Sequence, residues 1–179
     1  RAQYEPGSSL KIFSIGLALE QGLLDEKTEY YVEDTIELIE NSCQKDFKGY
    51  KGCYKDFLKH EPYNLSVKEI IERSSNVGTI IATKDLNIND LEKFLSKFGF
   101  SKRTGIELSG ESKGSFDPNK TCATCLSSLS IGYSINVTQM QMVKAYSIIA
   151  NGGKNVDLTL IKAPYSNYSS KQVIKSSSS

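Results

Sequence analysis

Ser8 is followed three residues later by Lys11, within Glu5-Pro6-Gly7-Ser8-Ser9-Leu10-Lys11, and apolar residues then recur through Leu19. At a helix start, this spacing puts a hydroxyl and an amine on one face, one turn apart. The positive end of the helix dipole favours negative charge developing at Ser8. A neutral lysine in reach can take the serine proton, giving an activated nucleophile without histidine. The plainer alternative is a capped helix with a solvent-facing lysine. Against it, Lys11 stands in an otherwise apolar segment, where an unpaired ammonium is costly. A second candidate is Ser74-Ser75-Asn76-Val77-Gly78. Here Ser74 can relay a proton, and Asn76 can donate to and accept from an amide substrate. The competing reading has Ser74 or Ser75 capping a helix that begins near Val77.

These groups need elements to hold them. Leu10, Phe13, Ile15, Leu17 and Leu19 predict a helix over 9–21, apolar around most of its circumference, with Gly22 as its cap. Residues 25–64 are polar and rich in Lys, Tyr and Gly, and read as loop with short helical or strand pieces. Ser66-Val67-Lys68-Glu69, Asn89-Asp90-Leu91-Glu92 and Thr138-Gln139-Met140-Gln141 are capping boxes that should start helices. Gly99 ends the second of these and Asn151-Gly152-Gly153 the third. The alternation Val156, Leu158, Leu160 predicts one strand. No internal repeat and no domain boundary is visible.

The chain has 179 residues, 39% hydrophobic and 24% charged, with a net charge of +1. That composition fits a folded domain and argues against a nucleic-acid surface, which carries a clear basic excess. No apolar run approaches the ~20 residues that span a bilayer. Cys122-Ala123-Thr124-Cys125, with Cys43 and Cys53, invites a zinc or redox reading. The spacings match no strong zinc template, and no thioredoxin-like context surrounds the pair, so no metal is expected. His60 is the only histidine and lies in a polar stretch that reads as exposed loop, a poor candidate for a serine–histidine–acid triad.

The two serine motifs together resemble the penicillin-recognising serine enzymes, with their serine-x-x-lysine and serine-x-asparagine signatures. The likeness to class B, monofunctional penicillin-binding proteins is closer still. Tyr4 to Ser8 resembles their nucleophile segment, and Arg73 to Gly78 their second motif. Phe98-Gly99-Phe100, Thr104 to Leu108, Ser130 to Tyr133, Val137 to Gln141 and Ala145 to Gly153 resemble later landmarks, in the family's order. The Gly132-Tyr133 pair is more similar to the cell-division branch than to the elongation branch.

The resemblance implies an α+β, serine β-lactamase/D,D-transpeptidase-like fold. It implies that 1–179 is an internal fragment of a single transpeptidase domain: mostly the helical lobe, with few strands of the central antiparallel sheet. Ser8 would be the acyl-accepting nucleophile, Lys11 its base, Ser74 the proton relay, and Asn76 a holder of Lys11 and the substrate amide. Ser75, Gly132 and Tyr133 would line the substrate. The substrates would be peptidoglycan stem peptides, a D-Ala-D-Ala donor and an amine acceptor, with β-lactam antibiotics as inhibitors and no cofactor. A membrane glycosyltransferase and division proteins would be partners, at the periplasmic face of the bacterial inner membrane, with the anchoring helix outside this chain. In that oxidising space a Cys43–Cys53 bridge becomes plausible, four reduced cysteines being the alternative. The alternatives in function are a β-lactamase or β-lactam sensor and a non-catalytic scaffold of the same fold.

Two departures stand out. The family's lysine-serine/threonine-glycine motif has only Lys175-Ser176-Ser177 as a counterpart, without the glycine. Ser134 stands where the family often has glycine.

Overall fold

The computed structural model describes residues 2–44, 52–117, 122–161 and 171–174. A 3-10 turn, Gly7–Leu10, leads into α1 (Lys11–Glu20). Short strands follow: β1 (Glu29–Val32), β2 (Thr35–Glu37), β3 (Cys53–Lys55) and β4 (Tyr63–Ser66). Then come α2 (Val67–Glu72), α3 (Asn76–Thr83), α4 (Ile88–Lys97), β5 (Ser115–Phe116), α5 (Cys125–Ser130), β6 (Ile135–Asn136) and α6 (Gln139–Ala150). The strands form three antiparallel pairs, β1–β4, β2–β3 and β5–β6.

These elements fall into two compact units, neither continuous in sequence, where the sequence reading found no boundary. One comprises 6–88 and 117–134; the other 1–5, 89–116 and 135–179. In the first, α3 is the centre. It packs against α1, α2, α5, β1 and β3, and its Val77 and Ile80 join Leu10, Phe13, Leu17, Val32, Leu65, Ile70 and Leu129 in the core. α1 is apolar nearly all round, as expected, and buries Lys11, Phe13, Ser14, Ile15, Leu17 and Ala18. A stripe of Ile12, Gly16, Leu19 and Glu20 is only half-buried.

The second unit buries Leu91, Phe94, Leu95, Phe98 and Phe100 with Val137, Ala145 and Ile148. Its irregular segments are tied down by polar side chains. Fully buried Gln141 donates to the carbonyls of Lys102 (2.8 Å) and Lys113 (2.7 Å). Glu111 accepts from the Thr104 amide and hydroxyl. Buried backbone in a loop needs partners of this kind.

The capping boxes at Ser66 and Thr138 are both closed, side chain to backbone in each direction. The helix expected from Asn89 instead starts at Ile88, so Asn89 and Asp90 lie inside it. Gly99 follows at φ +98°, a left-handed position suited to glycine. No strand forms over 156–160. That segment is irregular, with Glu107 accepting from the Thr159 hydroxyl and the Leu160 amide, so apolar alternation alone did not supply a strand partner. Lys175-Ser176-Ser177 lies outside the described residues.

Candidate active site

Gly7 enters the 3-10 turn at φ +55°, and its N–H donates to the Gly132 carbonyl at 3.1 Å. Ser8 thus sits at the first turn of a helical segment, where backbone N–H groups lack intrahelical partners. The Ser8 side chain is exposed, and its hydroxyl bonds to no described residue. One turn on, Lys11 begins α1 with only 2% of its surface exposed. Its Nζ donates to the Ser74 carbonyl at 2.5 Å and to Ser74 Oγ at 3.2 Å. Burial pulls the Lys11 pKa down from 10.5 to about 8, against the opposing pull of the Asp56 carboxylate. An ammonium that loses water on folding yields its proton more easily, which suits a general base.

Ser74 links α2 to α3 in a left-handed conformation, φ +54°, rare for a residue with a side chain. That turn brings both its carbonyl and its hydroxyl to Lys11. Ser75 then caps α3: its hydroxyl accepts from the Gly78 N–H at 2.8 Å and donates to Asp56 Oδ2 at 2.8 Å. With 2% exposure and both hydrogen-bonding roles taken, Ser75 has nothing to offer a substrate, which corrects the substrate-lining expectation. The capping reading applies to it instead. Asn76 is half-buried and donates to the Lys55 carbonyl at 2.7 Å. The expected Asn76–Lys11 bond is not made: the Asn76 amide turns to the Lys55 carbonyl, while Lys11 donates to Ser74.

Gly132 is buried beside the nucleophile turn. A Cβ there would lie 1.9 Å from the Gly7 carbonyl oxygen, so the close backbone approach requires glycine. Tyr133 is 49% exposed next to it. Ser134 adopts φ +62°, so serine here occupies a conformation that glycine takes more easily.

Two residues escaped the motif reading. Asp56 follows β3 and binds the Ser75 hydroxyl and the amides of Asn76 (2.6 Å) and Val77 (3.0 Å). His60, expected in an exposed loop, has a side chain only 15% exposed, with Nε2 3.1 Å from Asp56 Oδ2. Burial opposes its protonation, but the Glu61 carbonyl, the Asp56 carboxylate and the charge of Asp34 outweigh this and raise its pKa. The set Ser75–Asp56–His60 is no triad, because the acid lies between serine and imidazole and no proton can pass from one to the other. A polar residue some twenty positions before Ser-Ser-Asn gave no periodic or motif signal.

All four cysteines are bonded, Cys43 to Cys53 and Cys122 to Cys125, leaving no thiolate for zinc. The second bridge was not anticipated. The first pins β3, whose Tyr54 hydroxyl lies 2.6 Å from Ser128 Oγ on α5.

An exposed serine, a buried lysine one turn away and a second serine bonded to that lysine thus come from two separate sequence motifs. The family model for the penicillin binding protein transpeptidase domain matches residues 1–179. The chain belongs to this family. It is 29% identical over 161 residues to penicillin-binding protein PbpB of Mycolicibacterium smegmatis, covering 89% of this chain and 23% of that protein. It is 30% identical over 167 residues to peptidoglycan D,D-transpeptidase FtsI of Buchnera aphidicola, covering 92% of this chain and 27% of the relative. Among solved structures it resembles penicillin binding protein 3 of Mycobacterium tuberculosis complexed with ampicillin, with a TM-score of 0.80 and 26% identity, over 99% of this chain and 39% of that one. The fold is accordingly α+β, of the transpeptidase type. The chain spans about a quarter of the length of these curated relatives. Among the described residues, no helix is long and apolar enough to cross a membrane.

Proposed function

We propose that this chain carries the acylation machinery of a peptidoglycan D,D-transpeptidase of the cell-division type and is part of one transpeptidase domain. The observation that carries this reading is Lys11: buried, with its pKa drawn to about 8, bonded to Ser74 and one helical turn from the exposed Ser8. Ser8 Oγ attacks the penultimate D-alanine carbonyl of a stem peptide and gives its proton to neutral Lys11. The Ser8 backbone N–H, at the helix start, supplies half of the oxyanion hole. Collapse of the tetrahedral intermediate breaks the peptide bond. The departing D-alanine nitrogen receives a proton from Lys11 through the Ser74 hydroxyl. An amine of a second stem peptide then attacks the ester and loses a proton to Lys11, the ester C–O bond breaks as the cross-linking amide forms, and Lys11 returns that proton to Ser8 Oγ. Asn76, once its bond to Lys55 opens, holds the substrate amide, and exposed Tyr133 flanks the cleft.

A β-lactam enters by the same attack: its amide opens onto Ser8 and no leaving group departs. The resemblance to FtsI supports action in the periplasm at the inner membrane, beside a glycosyltransferase and division proteins. The test is intact-mass spectrometry of the full-length protein after benzylpenicillin, with S8A as control. A lasting adduct of one penicillin, absent in S8A, is expected. Turnover without an adduct would make the protein a β-lactamase. No adduct and no turnover would favour the scaffold reading.

A further inference from the structure

Asp56 belongs to no motif, yet it is the most heavily engaged side chain near the site. Its side chain is 7% exposed. Oδ1 accepts from the backbone N–H of Asn76 and Val77, and Oδ2 accepts from the Ser75 hydroxyl. Those three residues directly follow Ser74. A left-handed L-residue is strained and persists only where its surroundings over-determine it. On the α2 side, the N–H groups of Ser74 and Ser75 are tied to the carbonyls of Ile71 and Ile70. On the α3 side, the ties are those to Asp56. Charge-assisted bonds of this kind are roughly twice as strong as neutral ones.

Asp56 is itself braced. His60 Nε2 meets its Oδ2, while Nδ1 lies 2.9 Å from the Glu61 carbonyl. The imidazole stacks on Tyr63 with centroids 4.2 Å apart, and the Arg73 guanidinium lies over the other partner of that stack, 5.0 Å from the Tyr63 centroid. The array therefore returns from Asp56 to Arg73, the residue before Ser74.

We propose that Asp56, braced by His60, is a positioning residue for acylation: it locks the Ser74–Asn76 turn so that Ser74 stays on Lys11, and it keeps a negative charge behind that pair. This rests on the reading that Ser8 and Lys11 perform acyl transfer. The charge argument is specific. The charged residues of α2, which packs against α1, are Lys68, Glu69 and Glu72, and none of them shifts the Lys11 pKa; Asp56, the residue after β3, does. Helices α3 and α5 carry no charged side chain. His60 and Asp34 bear on the cluster through Asp56 and the imidazole.

The experiment measures acylation by a fluorescent penicillin in the full-length protein, resolving the limiting rate from the apparent binding constant across pH. If the parent is not labelled, or S8A still labels, the proposed function fails and this inference with it. With the parent labelled at Ser8, D56A should lower the limiting rate about 10²-fold, the scale of a small misplacement of catalytic groups, with little change in binding. D56N keeps a carbonyl oxygen for the Asn76 and Val77 amides but lacks the charge. It should recover most of the rate and move the acid limb of the pH profile to lower pH, since the charge favouring the Lys11 ammonium is gone. Parental limiting rate in folded D56A overturns the proposal. So does a D56N profile whose acid limb stays in place, and this arm decides the matter even if D56A does not fold.

Discussion

The two serine motifs are held in opposite ways. Ser8 and Lys11 are placed by local geometry: one entry turn, one helix, one interval of three residues. Ser74 to Asn76 sit at a junction that no local preference favours, with a serine at positive φ and its helix start held by an aspartate twenty residues earlier. The first arrangement is robust in folding and demanding in chemistry, because it buries an amine. The second is demanding in folding and mild in chemistry, because its groups are neutral. Substitutions in the first should therefore cost activity and spare stability, and those in the second should cost both.

The sharpest way to break this contrast is K11M. Acylation should fall by about 10²–10⁴-fold, the range for loss of a general base. Thermal stability should not fall, since methionine fills a similar volume without a buried charge. Lys11 is a base whose folded pKa, about 8, lies below its free value of 10.5. Between those values the unfolded chain binds the extra proton, so the parent should gain stability as pH rises through that window. K11M should lack this gain, and parallel melting curves from pH 7 to 10.5 would show it.

G132A tests the backbone contact that the nucleophile turn adds to its local geometry. A methyl group 1.9 Å from the Gly7 oxygen, on a residue at φ +88°, should destabilise the protein by about 3 kcal/mol from overpacking and backbone strain. Urea melts read this directly. If G132A is as stable as the parent, the Gly7–Gly132 approach does not hold the nucleophile.

What could be read in the sequence follows the same division. The Ser8 helix, the Ser66 and Thr138 boxes and the order of family landmarks are local patterns, and local patterns survive in one dimension. The roles of Ser75 and Asp56 are not local. A buried serine that caps a helix and a serine that faces substrate have the same letter, and only the Gly78 amide and the Asp56 carboxylate separate them. His60 read as an exposed loop residue because its neighbours are polar, yet its partners, Asp56 and Tyr63, lie on both sides of it in the chain. The strand expected at 156–160 failed for the opposite reason, since alternation is local but a strand needs a partner.

A gentler probe is pH. In the proposed reaction neutral Lys11 is the acceptor, and below about 8 its neutral fraction falls tenfold per pH unit. The acylation rate should climb with pH and level off above about 8. A limb that disappears in H60Q would point to His60 as the titrating group and would weaken the case for Lys11.

The smallest effect should come from S66A, and it isolates what the second motif adds to ordinary capping. Ser66 and Ser75 are both N-cap serines, whose hydroxyls accept from the Glu69 and Gly78 amides. Removing either cap should cost about 1 kcal/mol, a drop of about 2–4 °C in Tm for a chain of this size. S66A should stop there, with acylation unchanged, because α2 does not depend on a strained turn. S75A removes a cap and also one of the bonds that hold Asp56 to the Ser74 turn, so its acylation should slow as well. Equal acylation in the two variants would mean that capping α3 is all that Ser75 does, and that the turn is held by the amides of Asn76 and Val77 alone.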